Sequence, residues 1–179
     1  MRIVAGSRKG AKIFAPKGLD TRPTGDRVRE AAFDLIGPVD GANVLDLFAG
    51  SGALGLEALS RGAARATFVE QDEAAARTIV RNLEKLRLQG AVVLRDDARR
   101  KLAADAAAGN RYDLVLVDPP YRMLGIFLPA LAAHLPAVLS PEGLAVVESD
   151  SREEPDLPLP KRTSRRYGSA RLTIFEAPA

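Results

Sequence analysis

Between Asn43 and Glu148, short apolar runs rich in β-branched residues alternate with segments of helical period, and that alternation admits few architectures. Asn43–Phe48 reads as a strand, a glycine-rich turn follows, and Ala53–Ser60 reads as a helix. The pattern then repeats. Ala66–Glu70 is a strand, Glu73–Leu88 a helix with Ile79, Val80, Leu83 and Leu86 on one face, and Ala91–Leu94 the next strand. Tyr112–Val117 is the most apolar run, Leu124–Leu135 a helix closed near Pro136, and Gly143–Glu148 a strand ahead of a proline-rich loop over 155–160. Strands joined by crossover helices predict an α/β fold, a doubly wound, mostly parallel and Rossmann-like sheet whose ligands sit outside the carboxyl ends of the strands. The functional loops are therefore expected after Phe48, Glu70, Leu94 and Val117.

The flanks differ from this core. Lys161–Tyr167 and Arg171–Phe175, parted by Gly168, predict a terminal antiparallel hairpin. Arg2–Ala5 and Lys12–Ala15 around Gly10 predict a small basic N-terminal β-hairpin, and Asp26–Ile36 a helix started by Thr24 or Asp26. A length of 179 residues with 46% hydrophobic content suits one domain, with the basic hairpin in residues 1–20 and the catalytic core in 21–179.

Composition excludes several chemistries. Cysteine is absent, which removes disulfides, thiolate metal sites and cysteine nucleophiles, and the lone His134 cannot build a metal site by itself. No run approaches the roughly 18 apolar residues of a membrane span, and no apolar signal core follows the N-terminal charges, so a soluble cytoplasmic protein is expected. Charge is segregated. Residues 1–29 hold eight Lys or Arg against two acids and residues 161–171 hold five against none, so these segments carry +11 in a chain of net +3. That asymmetry points to a polyanionic partner, against the plainer reading that basic ends aid solubility; proximity of the two ends in the fold would decide.

Asp46-Leu-Phe-Ala-Gly50-Ser-Gly52-Ala-Leu-Gly55 places glycines after a strand and before a helix, where a missing Cβ lets a ligand approach the backbone. Gly50, Gly52 and Gly55 also satisfy the dinucleotide pattern, with Glu70 at the distance of a ribose-binding acid, so a nicotinamide enzyme is an alternative. Asp46 argues against it, because a carboxylate at the strand end repels a pyrophosphate and welcomes a cation. S-adenosylmethionine, with a sulfonium, an ammonium group and no phosphate, suits such a loop. Asp46 as a turn former and Glu70 as a solvated strand end are the structural alternatives. After the third strand, Asp96-Asp97-Ala98 is placed either to receive an adenine amino group or to cap the helix that carries Arg99 and Leu102.

The most specific feature is Asp118-Pro119-Pro120-Tyr121, directly after the apolar strand. An exocyclic amine on a base is flat and weakly nucleophilic, since its lone pair is delocalised into the ring. A carboxylate and a carbonyl that accept its two N–H groups draw it toward tetrahedral geometry and turn the lone pair toward a methyl donor. Asp118 and the Pro119 carbonyl can do this, Asp118 can take the proton, and Tyr121 can stack on the base. Successive prolines fix φ and hold the carbonyl outward. A rigid turn with Tyr121 packed in the core is the structural alternative. The same tetrapeptide type serves adenine-N6 and glutamine-amide methylation, so it marks an acceptor class and not a substrate. The target base must be taken out of its stack or lie in a loop or single strand.

These residues resemble the bacterial 16S ribosomal RNA guanine-N2 methyltransferases, the RsmD family, over nearly the whole chain. The resemblance is carried by Arg2-Ile-Val-Ala-Gly6 with Lys9-Gly10, by Arg22-Pro-Thr-Gly-Asp26-Arg27-Val-Arg29-Glu30-Ala31, by Leu45–Gly52, by Phe68-Val-Glu70-Gln-Asp72, by Asp118–Tyr121 and by Tyr167-Gly168. It implies a class I methyltransferase core acting with S-adenosylmethionine on 16S ribosomal RNA, within a small-subunit particle, as a monomer without metal. The implied cofactor residues are Asp46, Ala49, Gly50, Gly52, Glu70, Gln71, Asp97 and Ala98, with Thr24. Asp118, Pro119 and Tyr121 are the implied holders of the guanine amine. Arg8, Lys9, Lys12, Arg22, Arg27, Arg165 and Arg166 are the candidate RNA contacts. For Thr24, Arg27 and Arg29 a helix-capping and salt-bridging role stands beside that reading. Adenine-N6 methylation and a non-catalytic RNA-binding assembly factor are the competing functions; a DNA enzyme would ordinarily need an added recognition domain.

Overall fold

The computed structural model describes residues 1–16 and 25–179. In chain order its elements are α1 (Asp26–Ile36), β1 (Asn43–Asp46), α2 (Ala53–Ser60), β2 (Arg65–Val69), α3 (Glu73–Leu86), β3 (Ala91–Leu94), α4 (Ala98–Ala108), β4 (Tyr112–Val117), α5 (Leu124–Val138), β5 (Leu139–Asp150), β6 (Lys161–Tyr167) and β7 (Ala170–Glu176). The strands form one seven-stranded sheet in the order β3-β2-β1-β4-β5-β7-β6. Pairing is parallel from β3 through β5, and β7 pairs antiparallel with both β5 and β6. The doubly wound sheet and its terminal antiparallel hairpin are thus present as the alternation implies.

Because parallel strands are covered on both faces, their side chains divide by parity. Val44, Leu114, Leu116, Val146 and Ile174 pack with Phe33, Leu56 and Ile79 beneath α1, α2 and α3. Leu45, Leu47, Val115, Val117 and Val147 pack with Leu102, Phe127, Leu131 and Leu135 beneath α4 and α5. The chain runs outward from β1 to β3 and then returns across to β4. The direction of winding therefore reverses between β1 and β4, which opens a crevice at their carboxyl ends.

Three features depart from the sequence pattern for physical reasons. Pro136 does not close α5, which runs on to Val138, because Leu135 and Val138 are both fully buried and their packing outweighs one lost backbone bond. On α3, Val80 points to solvent at 42% exposure, while the fully buried Asn82 takes the place an apolar residue would hold between Ile79 and Leu86. The N-terminal hairpin is minimal, a single antiparallel bridge between Arg2 and Lys12 around a 3₁₀ turn at Gly6–Arg8. Its backbone donors go elsewhere. Val4 and Ala5 N–H donate to the Glu57 carboxylate at 2.8 Å each, and the Ser60 hydroxyl accepts from Arg8 N–H at 3.0 Å and donates to the Ala5 carbonyl at 2.6 Å. Gly6, at φ +80, lies so close to α2 that a Cβ would sit 1.8 Å from the Ser60 carbonyl oxygen.

Candidate active site

The sequence-expected residues stand at the carboxyl ends of four neighbouring strands, β3, β2, β1 and β4. Asp46 closes β1 and is 1% exposed, on the face toward α2. Its Oδ2 accepts the Gly55 N–H at 3.0 Å, and its Oδ1 is buried with no hydrogen-bond partner among the described residues. Burial pushes this carboxyl up to about 7; the Gly55 N–H opposes that rise and the nearby Glu70 charge adds to it. Such an orphaned acceptor is costly to keep unless something cationic or donating comes to it.

The loop after β1 is shaped around the same point. Gly50 has φ +54 and open space where a Cβ would stand, so a ligand can approach its backbone. Gly52, at φ +82, starts α2 and packs close to the Ile79 side chain. Gly55 has a different reason to be glycine, since a Cβ there would fall 2.3 Å from the Phe68 ring. Ala49 is buried and holds the loop to the end of β2 through its N–H and the Val69 carbonyl, 3.1 Å apart.

Glu70 follows β2 and braces this loop. Its Oε2 accepts the Gly50 N–H at 2.8 Å and its Oε1 accepts the Asp72 N–H at 2.8 Å, so it is a fixed carboxylate and not a solvated strand end. Gln71 beside it is exposed. After β3, Asp97 is the N-cap of α4: its Oδ1 accepts from Arg99 and Arg100 N–H at 2.9 and 3.1 Å, and Ala98 begins the helix nearly buried. Capping holds the Asp97 carboxyl below its usual range, the backbone and Arg99 contacts outweighing the upward push of burial. The capping alternative is therefore real for Asp97.

After β4, Asp118 is half-buried and Pro119 is buried. The register pairs Asp46 with Leu116, so Asp118 lies two residues beyond Asp46 along the neighbouring strand and on the same side of the sheet. Val117 pairs with Val147, which brings the buried Glu148 of β5 alongside Asp118. Sequence reasoning passed over Glu148, because a single acid ending an apolar run carries no motif. Arg22, Thr24 and the Tyr121 side chain lie outside the described residues.

The expected RNA residues fall into distinct settings. Lys9, Lys12 and Arg27 are exposed. Arg8 is used internally: its Nε donates to the Leu86 carbonyl and a terminal nitrogen to the Arg87 carbonyl at 3.3 Å, capping the C-terminus of α3. Arg165 and Arg166 are exposed on the edge strand β6, paired with Leu172 and Arg171, and so face opposite sides of the sheet. Only Arg165 shares the side on which the N-terminal segment packs. Arg29 is wholly buried, paired with Glu57 at 3.3 Å and Asp26 at 2.9 Å, which is the salt-bridging role. Among the described residues no group of acidic and histidine side chains is arranged to hold a metal, and no helix is long and apolar enough to cross a membrane.

Comparison with known proteins gives the family and the fold. "Putative rRNA methyltransferase YlbH" of Bacillus subtilis is 42% identical over 98% of each chain. Ribosomal RNA small subunit methyltransferase D of Escherichia coli K12 is 46% identical over 68% of this chain and 61% of its own. The solved structure titled "Putative methyltransferase yhhF from Escherichia coli" superposes with a TM-score of 0.84 at 37% identity, covering 100% of this chain and 98% of that one. The family model described as "Conserved hypothetical protein 95" matches residues 1–176. The fold is that of the class I methyltransferases, and the chain belongs to this family, the one that holds the RsmD proteins.

Proposed function

We propose that this protein is an S-adenosylmethionine-dependent methyltransferase of small-subunit ribosomal RNA and that it modifies the exocyclic N2 amine of a guanine. The observation that carries the reading is the juxtaposition at the switch point: an orphaned, buried Asp46 oxygen stands on β1, with the Asp118-Pro119 acceptor pair at the tip of the adjacent β4. The relatives named above support the ribosomal RNA part of the reading; the acceptor pair suits an exocyclic amine, and guanine N2 is what the resemblance to the guanine-N2 methyltransferases implies.

The residues present fit the cofactor. Asp46 offers a negative charge without a counterion, which complements an ammonium or sulfonium and repels a phosphate. The Gly50 N–H, which a pyrophosphate would need, is already bonded to Glu70, so the dehydrogenase alternative loses its donor. When bound, S-adenosylmethionine supplies an electrophilic methyl group on sulfur. Asp118 and the Pro119 carbonyl would each accept an N–H from the guanine amine and orient its lone pair along the line to that methyl. Asp118 would take the surplus proton from the amine nitrogen on methyl transfer and release it to solvent.

Two outcomes test this. Incubation with labelled S-adenosylmethionine and unmodified small-subunit RNA, naked or in particles, is expected to yield N2-methylguanosine on nucleoside mass spectrometry; N6-methyladenosine would transfer the chemistry to adenine, and no label would leave an RNA-binding factor. The second concerns Asp46. Its folded pKa of about 7 exceeds the unfolded value near 3.8, so the native state binds an extra proton between these limits and its stability falls as pH rises through that window. A cationic ligand favours the carboxylate. Calorimetry in buffers of different ionisation enthalpy is therefore expected to show a proton released on cofactor binding at pH 6, fading to none by pH 9, with affinity rising across that range. Binding that is independent of pH would separate Asp46 from the cofactor.

A further inference from the structure

We infer that the C-terminal half of α3 and the N-terminal segment laid along it form a second RNA surface, which grips phosphates and one unstacked base beside the methylation site; this rests on the RNA reading above. The segment crosses α3 from its C-terminus toward the glycine loop. Arg8 caps the last carbonyls of the helix, and six residues on, the Asn82 amide clamps Phe14, accepting its N–H at 2.7 Å and donating to its carbonyl at 3.0 Å. The same Asn82 nitrogen donates to the Ser51 carbonyl at 3.0 Å. One fully buried side chain thus ties Phe14 to the loop that bears Gly50 and Gly52.

What this tie holds in place is an aromatic ring in a cationic setting. Phe14 is 39% exposed, an unusual position for a phenylalanine in a chain with only six. The Arg81 guanidinium lies 4.5 Å and the Lys85 ammonium 4.6 Å from its ring centroid. Neither cation has an ion pair among the described residues, whereas Arg77, one turn earlier on α3, and Arg95, just after β3, are both held by Glu73. Lys9, Lys12 and Arg87 are also exposed, and among the described residues Glu84 is the one acid on the C-terminal half of α3. Unpaired cations interleaved with an exposed ring are what single-stranded nucleic acid selects: phosphates for the charges, a base face for the ring. A protein partner would require acidic peptide chemistry, whereas the tie to the glycine loop sets the ring and its cations beside the loop that follows β1, the strand neighbouring the β4 tip that carries Asp118.

Equilibrium binding of an unmodified small-subunit RNA transcript at several KCl concentrations tests this. The double variant Arg81→Gln/Lys85→Gln is expected to weaken binding at least tenfold at moderate salt and to flatten the slope of log K against log [KCl] by about 1.5. Phe14→Leu is expected to weaken binding roughly tenfold with the slope unchanged, since stacking is lost and charge is not. Cofactor affinity and melting temperature report that the fold and the adjoining loop are intact. Wild-type binding and methylation with both variants unaffected in RNA affinity would overturn the surface while leaving the function standing. Failure of the wild-type chain to bind the RNA at all, with cofactor binding intact, would overturn the functional reading and this surface with it.

Discussion

Asp118→Ala is expected to keep cofactor affinity unchanged and to lower methyl transfer by about 10² to 10⁴. The side chain stands at the tip of β4, and the glycine loop is held by Asp46 and Glu70 through the Gly55 and Gly50 N–H groups, so the loss of Asp118 is expected to spare that loop. Loss of the carboxylate removes one of two acceptors from the amine and the group that takes its proton. The Pro119 carbonyl survives, held by a residue whose φ is fixed, so a residual rate above background is expected. Asp118→Asn retains an acceptor oxygen without the basicity and should fall between the two. The checks are single-turnover rates with saturating RNA and calorimetric cofactor affinity. Turnover by Asp118→Ala within a few-fold of wild type would remove Asp118 from the mechanism.

Glu57→Leu is expected to destabilise the fold by about 3–5 kcal/mol, a loss of roughly 6–20 °C in melting temperature for a chain of this size. Glu57 is 0% exposed and accepts from Val4 and Ala5 N–H, from Arg29 at 3.3 Å and from Arg61 at 2.9 Å. Its removal takes from the wholly buried Arg29 guanidinium the buried carboxylate it is paired with and unties the N-terminal segment from α2. Adding Arg29→Met removes the stranded charge, and the double variant should recover part of the loss, a coupling that a double-mutant cycle measures by thermal or urea unfolding. If Glu57→Leu melts within 2 °C or so of wild type, the buried network does not anchor the segment.

These two residues show what the sequence makes legible. Asp118 stands out, because an acid followed by two prolines and a tyrosine directly after an apolar strand is the most specific motif in the chain. The strand and helix order was legible for the same kind of reason, since periodicity reports burial, and parallel strands buried on both faces leave continuous apolar runs such as Leu114–Val117. Glu57 sits inside the short apolar helix α2 and reads as a surface acid; only the fold reveals that Arg29, 28 residues away, and two backbone N–H groups converge on it. Val80, expected on the buried face of α3, is exposed for a similar reason, since the buried place is held by Asn82, whose partners at Phe14 and Ser51 are distant in sequence. Arg8 was legible as a cation but not as a helix cap, since the carbonyls it meets lie 78 and 79 residues on. Long-range polar convergence has no sequence period, and that is the part of the site that reading by pattern misses.

The most direct measurement is a crystal structure of the protein with S-adenosylhomocysteine and guanosine bound. The expected result puts the guanine N2 within hydrogen-bonding distance of both the Asp118 carboxylate and the Pro119 carbonyl, facing the sulfur, with the ligand's ammonium group meeting the lone Asp46 oxygen. A base seated away from the tip of β4, or a sulfur turned from that nitrogen, would contradict it.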